Sequence, residues 1–214
     1  MSQENGKERA GVLHRIRTGI GRSAGEPPAP PPPVRIRVPQ AGIEARIASF
    51  MARVEALAGK SYRTAQPCGV VASAISGKTA VASNAPFLAE CGITRLAGVR
   101  SGITDREELR NICAVADVGI TSADYALADT GTLVMLSSPR EARLVSLLPP
   151  AHIAVVPRER ILTGLDELFS ILPDPAAVSS SMVLITGPSR TADIEQILVR
   201  GVHGPGQITV VVAE

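Results

Sequence analysis

The feature that most restricts this chain is a series of short apolar runs that show little polar alternation. They lie at Thr79–Ser83, Ile93–Leu96, Val115–Thr121, Thr132–Leu136, His152–Val156, Met182–Thr186 and Ile208–Val212. A strand with one wet face alternates apolar and polar side chains, whereas a strand buried on both faces reads as continuously apolar. Between the runs sit helical patterns. Ile43, Ile47, Phe50, Met51, Val54 and Leu57 recur at helical spacing, and Gly59 follows them as a stop signal. Thr104 and Glu107 form a capping box before Leu109, Ile112 and Cys113. Thr163 and Asp166 lead into Leu165, Leu168, Phe169 and Leu172, with Pro173 as the stop, and Ser189 precedes Ile194, Ile197 and Leu198. The pattern predicts an α/β fold, a three-layer α/β/α domain around a mostly parallel sheet.

The predicted domain covers residues 40–214, preceded by a basic and then Pro-rich mobile leader over residues 1–39. Residues 26–39 hold seven of the seventeen prolines, including an unbroken run from Pro30 to Pro33, the composition of a stiff spacer outside any core. Charge divides at the same place. Residues 1–39 carry seven Lys or Arg against three Glu, a local +4, and residues 40–214 carry 15 against 17, a local −2. A slightly acidic body with five aromatic residues and no Trp argues against a nucleic-acid-binding domain, which leaves only weak contact of the basic leader with an anionic partner. Cys68, Cys91 and Cys113 stand more than twenty residues apart without a CxxC pair, so iron–sulfur or zinc spacing is absent. No apolar run is long enough to span a bilayer and no secretory signal is visible, so the expectation is a soluble, cytoplasmic chain without a transmembrane segment.

Two segments carry the candidate chemistry. Residues 119–132 place two carboxylates (Asp124, Asp129), five hydroxyls and two glycines at the end of one apolar run and the start of the next. Ligands of open α/β sheets bind outside the carboxyl ends of strands, and Asp129 fits a base, a nucleophile or a hydrogen-bond acceptor. Ordinary turn chemistry accounts for the same residues. The second segment, Gly187–Glu195, follows an apolar run and opens a helical pattern. Amides at a helix start together with Arg190 suit an anion, while Ser189 as a plain cap is the competing account. Ser76–Gly77–Lys78–Thr79 lacks the first glycine of a phosphate loop, since Ala72 stands there, and it precedes a strand pattern. His14, His152 and His203 have no metal spacing, and His152 and His203 read as structural. Ser189 lacks the Gly-x-Ser-x-Gly elbow, and no dinucleotide fingerprint occurs.

The segments Gly119–Pro139 (GITSADYALADTGTLVMLSSP) and Arg143–Pro157 (RLVSLLPPAHIAVVP), followed by Gly187–Glu195 (GPSRTADIE) and Gly201–Pro205 (GVHGP), closely resemble the LUD domain family (DUF162-type), typified by lactate utilisation protein C. The resemblance is strongest from about residue 115 onward and collinear from about 40. It implies a fold like that of the sugar-phosphate isomerase and CoA-transferase group. It also implies a part in oxidising L-lactate to pyruvate beside iron–sulfur partner proteins, with no cofactor bound by this chain. In that reading Asp124, Asp129, Thr130 and Gly131 line a pocket, with Asp129 as the candidate catalytic acid. Ser189, Arg190 and Thr191 then receive a small carboxylate. The family usually has Glu at the position of Asp129, so the carboxylate here is drawn back by about one methylene, enough to matter in a tight attack geometry. Two other readings stay open from the residues: a stand-alone transferase or isomerase acting on a phosphorylated or CoA-linked substrate, and an assembly or binding module without catalysis.

Overall fold

A computed structural model of the chain describes residues 2–19, 21, 41–191 and 199–214. The chain divides into a unit of residues 1–35 and a unit of residues 36–214. The first contains helix α1 (Ser2–Gly19), on which Val12, Leu13 and Ile16 are exposed. The Pro-rich stretch lies outside the described residues.

The second unit runs α2 (Ile43–Ala56), β1 (Lys60–Thr64), α3 (Pro67–Ala74), β2 (Ala80–Ala82), α4 (Pro86–Glu90), β3 (Val99–Arg100), α5 (Arg106–Val115) and β4 (Val118–Ser122). It continues with β5 (Tyr125–Leu127), β6 (Thr132–Leu136), α6 (Arg143–Leu147), β7 (Ala151–Pro157), β8 (Ile161–Leu162), α7 (Leu165–Ile171) and α8 (Pro175–Val178). The last elements are β9 (Met182–Ile185), β10 (Arg190–Thr191), β11 (Val199–Arg200) and β12 (Gln207–Ala213).

Six strands form one parallel sheet in the order β1-β12-β7-β4-β2-β3. Alternate residues of its central strands enter different cores. Ala154, Val156, Val210 and Val212 pack with Ile47, Phe50 and Val54 of α2, while Ile153, Val155 and Val211 pack with Val71, Ile75, Leu88 and Ile93. Both faces are therefore dry, which is why these strands lack polar alternation. On the α2 side α6 lies against β4 so closely that a Cβ on Gly119 would stand 1.9 Å from the Val145 carbonyl oxygen. The result is the mostly parallel α/β architecture expected from the apolar runs.

Two of those runs pair elsewhere. β6 and β9 belong to a second, four-stranded sheet of order β8-β5-β6-β9, in which β6 is antiparallel to both neighbours. Leu133 and Met135 face α2, and Val134 faces Leu127, Leu162 and Leu168, so an antiparallel strand covered on both sides also reads as apolar throughout. A small β10–β11 pair completes the strands.

Three local expectations are corrected. Ile93–Leu96 is not a strand: Gly92 takes φ +76 after α4 and the chain enters a 3-10 turn over Ile93–Arg95, with β3 following. The cap of α5 is Asp105, whose carboxylate accepts the Glu108 amide at 2.7 Å, rather than Thr104. At the end of α2 the left-handed residue is Ala58, φ +64, with the Gly59 amide returning to the Val54 carbonyl at 2.9 Å and the Ala58 amide to Glu55. This is a Schellman ending with alanine where glycine is favoured. Gly59 is needed for space instead, because a Cβ there would lie 2.8 Å from Val54 Cγ1.

Candidate functional site

Parallel pairing gathers the carboxyl ends of β2, β4 and β7 on one edge of the sheet, and a cleft of about 480 Å³ opens there. Ser122, Asp124 and Tyr125 reach it from the β4–β5 connection, Arg140 and Glu141 from the loop after β6, and Arg160 from the turn after β7. The loop is docked by the Asn84 amide, which donates to the Arg140 carbonyl at 2.8 Å, and closed on itself by paired Ser138 and Glu141 backbone bonds.

Glu141 is the unusual group. The residue is 8% exposed, and its Oε2 accepts the Ser83 hydroxyl at 2.8 Å. Its Oε1 is buried without a hydrogen-bond partner. Burial pushes the carboxyl up to about 8, against the lowering contacts of Ser83 and the Ser122 backbone, and the nearby Asp124 charge adds to the rise. Glu141 is therefore neutral at pH 7, a carboxylic acid with a proton to donate.

Asp124 is half-buried beside it. One oxygen accepts the Leu136 amide at 2.6 Å, and burial raises its carboxyl against the pull of that amide and of Arg160. Arg160 lies 5.3 Å from the Tyr125 ring centre and donates to the Tyr125 hydroxyl at 3.3 Å. Arg140 is exposed at the rim. The cleft thus combines two guanidinium groups with the carboxyls of Glu90, Asp124 and the neutral Glu141 and with hydroxyl groups, a set of mixed charge suited to a small oxygen-rich ligand.

The structure scatters the residues singled out from the sequence. Asp124 lines the cleft. Asp129 and Thr130 lie beyond the other end of β5 and are exposed, with the Thr130 hydroxyl donating to Asp129 Oδ1 at 3.2 Å. The Asp129 carboxylate rests on the backbone of Gly164, where a Cβ would stand 2.5 Å from Oδ2. Gly131 takes φ +70 beneath α2, with room for no Cβ beside Arg53 and Val54, so its place in the sequence motif is explained by packing.

Ser189 and Arg190 line a different cleft of about 520 Å³ with His203 and Ile208, near the amino end of β12. The helix expected to open at Ser189 does not begin there, because Arg190 and Thr191 form β10, paired with Arg200 and Val199. Residues 192–198, where the remainder of that helix was expected, are outside the described residues. Arg190 donates to the Leu57 carbonyl at 2.5 Å, and the Ser189 hydroxyl accepts the His203 amide at 3.4 Å. His152 is buried, with Nε2 at 2.8 Å from the Thr121 hydroxyl, and burial lowers it to about 4.

Sequence reasoning missed Glu141, Arg140, Arg160 and Ser83. Ser83 carried a legible signal, a polar residue closing an apolar strand pattern at its carboxyl end. Glu141 carried none, since only the docking of its loop buries it. Cys68 and Cys91 share a further cleft at the ends of β1 and β12, and burial raises the Cys91 thiol. Among the described residues no group of three or more His, Cys, Asp or Glu gathers as a metal site, and no helix is long and apolar enough to cross a membrane.

The family model for the LUD domain matches residues 42–213. Lactate utilization protein C of Halalkalibacterium halodurans is 42% identical over 115 residues, covering 52% of this chain and 50% of that protein. Lactate utilization protein C of Bacillus subtilis is 46% identical over 94 residues, covering 42% and 39% respectively. The chain spans about half or less of the length of the curated relatives it matches. A solved DUF162 family protein from Deinococcus radiodurans superposes with a TM-score of 0.63 at 19% identity, over 82% of this chain and all of that one, which shows the shared fold.

Proposed function

Since the chain belongs to the LUD domain family, we propose that it serves L-lactate utilisation, as a component that handles a small carboxylate and carries no redox centre of its own. Oxidising L-lactate to pyruvate releases two electrons and two protons. In this reading iron–sulfur partner proteins take the electrons in the cytoplasm, and this chain supplies the carboxylate-binding α/β domain. The names of its relatives support the pathway. The observation that carries the site is the carboxyl-edge cleft, where two arginines border a neutral, buried carboxyl.

Arg190 was the expected carboxylate partner. Its bond to the Leu57 carbonyl and its place at the amino edge favour Arg140 and Arg160 for that role. Asp129 is a base or nucleophile only if a ligand reaches its exposed loop, and the geometry favours Glu141 for proton handling.

The test is a clean deletion of the gene in a strain without a second lactate oxidase, with L-lactate-dependent oxygen uptake as the readout. Loss of uptake restored by the wild-type chain is the expected result. Uptake unchanged by the deletion would remove the pathway assignment.

A further inference from the structure

We infer that Cys68 and Cys91 form a modification site, a thiol pair that a small disulfide compound oxidises to an internal disulfide, tying the end of α4 to α3. The site stands apart from the lactate-utilisation reading, because neither cysteine lines the carboxyl-edge cleft.

The fold gathers two cysteines that the sequence holds more than twenty residues apart. Cys68 lies in the first turn of α3, and Cys91 directly follows α4 as its carboxyl-terminal cap. Both open on one cleft of about 560 Å³, beside Gln66, Pro67, Phe87 and Ala213. The Cys68 sulfur packs on the turn that carries Cys91, 3.7 Å from where a Cβ on Gly92 would stand. Cys68 and Cys91 are half-buried, whereas Cys113 is 1% exposed. A small reagent therefore reaches the pair and not the third thiol. The Cys91 thiol is raised by burial and, to a lesser extent, by Glu90 and by Cys68, so the two sulfurs lie within electrostatic reach of each other.

The charged side chains on this cleft, Glu90 and Glu214, are both acidic. No cation stands among the lining residues to hold an anionic adduct in place. A mixed disulfide at either cysteine is thus short-lived against attack by the neighbouring thiol.

The exchange balances with one molecule of the small disulfide. One cysteine loses its proton, and its thiolate attacks a sulfur of the reagent. A mixed disulfide forms, and the first reagent thiolate leaves and takes up that proton. The second cysteine loses its proton and attacks the protein sulfur of the mixed disulfide, expelling the second reagent thiolate, which is protonated in turn. The protein pair is oxidised by two electrons, and the reagent is reduced to two thiols. Under reducing conditions the pair stays as thiols, so the bond reports oxidation.

The bond acts on α4. Phe87 and Glu90 of this five-residue helix line the cysteine cleft and also the carboxyl-edge cleft. The helix ends on two backbone bonds, from the Cys91 amide to the Phe87 carbonyl and from the Gly92 amide to the Ala89 carbonyl, each 3.0 Å. A helix this short has little cooperativity of its own, so a covalent tie at its end reduces its opening.

The test treats the full chain with an excess of 2-hydroxyethyl disulfide, an uncharged oxidant, then alkylates it with iodoacetamide and maps the peptides by mass spectrometry. The expected product is a linked Cys68–Cys91 peptide pair, lighter by two hydrogens. Alkylation of both cysteines falls at least about tenfold and returns after dithiothreitol. Amide hydrogen exchange over residues 87–92 slows at least about threefold on oxidation. Cys68→Ser abolishes the bond and the slowing together and leaves a hydroxyethyl adduct on Cys91. Four outcomes overturn the inference: no reaction at either cysteine, separate stable adducts on both, a bond to Cys113 or to a second chain, or a Cys68–Cys91 bond that leaves exchange over α4 unchanged. Mapping and exchange on the wild-type chain decide the matter even if the Ser variant does not fold.

Discussion

The two edges of the parallel sheet each carry a cleft of similar size, near 480 and 520 Å³, and their polar groups are in opposite states. At the amino edge the conspicuous cation, Arg190, already caps the carbonyl of Leu57, and Ser189 accepts a backbone amide. At the carboxyl edge Glu141 is buried, held by one hydroxyl and left with a free oxygen. Motif density in the sequence points to both places, first to residues 119–132 and second to Gly187–Glu195. What separates them is whether the fold has satisfied the polar groups or kept one desolvated and incomplete. The cost of the second arrangement falls on stability, which makes the difference measurable.

The largest expected effect is on Glu141. Below pH 4.5 its carboxyl is protonated in both folded and unfolded chains. Between 4.5 and 8 the unfolded chain ionises and the folded one does not, so stability falls as pH rises through this window and levels off above it. Glu141→Gln removes this penalty. Urea unfolding of that variant should show a gain on the order of 3 kcal/mol at pH 7 and none near pH 4. An equal gain at both pH values would break the comparison by assigning the effect to packing.

His152 gives the opposite slope and sharpens the first result. Its imidazole is held neutral by burial down to about pH 4, while an unfolded histidine takes a proton below about 6.5. Stability from this group is full above 6.5 and is lost as pH falls toward 4. The two slopes offset each other between 4.5 and 6.5, so wild-type stability should be nearly level there and then decline by roughly 2 kcal/mol from pH 6.5 to 8. A series of unfolding curves across pH 4–9 checks this shape.

At the functional level the edges should part cleanly. Arg160→Ala should abolish most lactate-dependent uptake, whereas Arg190→Lys should retain it within about twofold, because a lysine still reaches a carbonyl and no bidentate ligand is lost. Asp129→Asn should likewise restore uptake, with a stability change inside about 0.5 kcal/mol at its exposed position. Failure of the Asn variant would move the chemistry to the far end of β5. Away from both clefts, Ala58→Gly should stabilise by about 0.5–1 kcal/mol by relieving left-handed strain at the end of α2, with uptake unchanged.

The comparison also explains what the sequence made legible. The helix containing Ile47, Phe50 and Val54 follows from burial with a helical period, and the strands at β4, β7 and β12 follow from unbroken apolar runs. β5 and β8 are three and two residues long, too short for any period, so the second sheet was invisible although its longer members were marked as strands. Asp124 was legible because it closes an apolar run at the carboxyl end. Glu141 gains its character from the Ser83 hydroxyl 58 positions earlier in the chain and from a loop closed by its own turn, neither of which leaves a pattern in the sequence. Gly131 and Asp129 stood out as a motif for reasons that packing against α2 and Gly164 now accounts for.

The most direct measurement is a carbon-13 NMR titration of the Glu141 side-chain carboxyl, assigned by comparison with Glu141→Gln. The account predicts a midpoint near 8, because burial withholds water from the ionised form. A midpoint near 4.5 would contradict it.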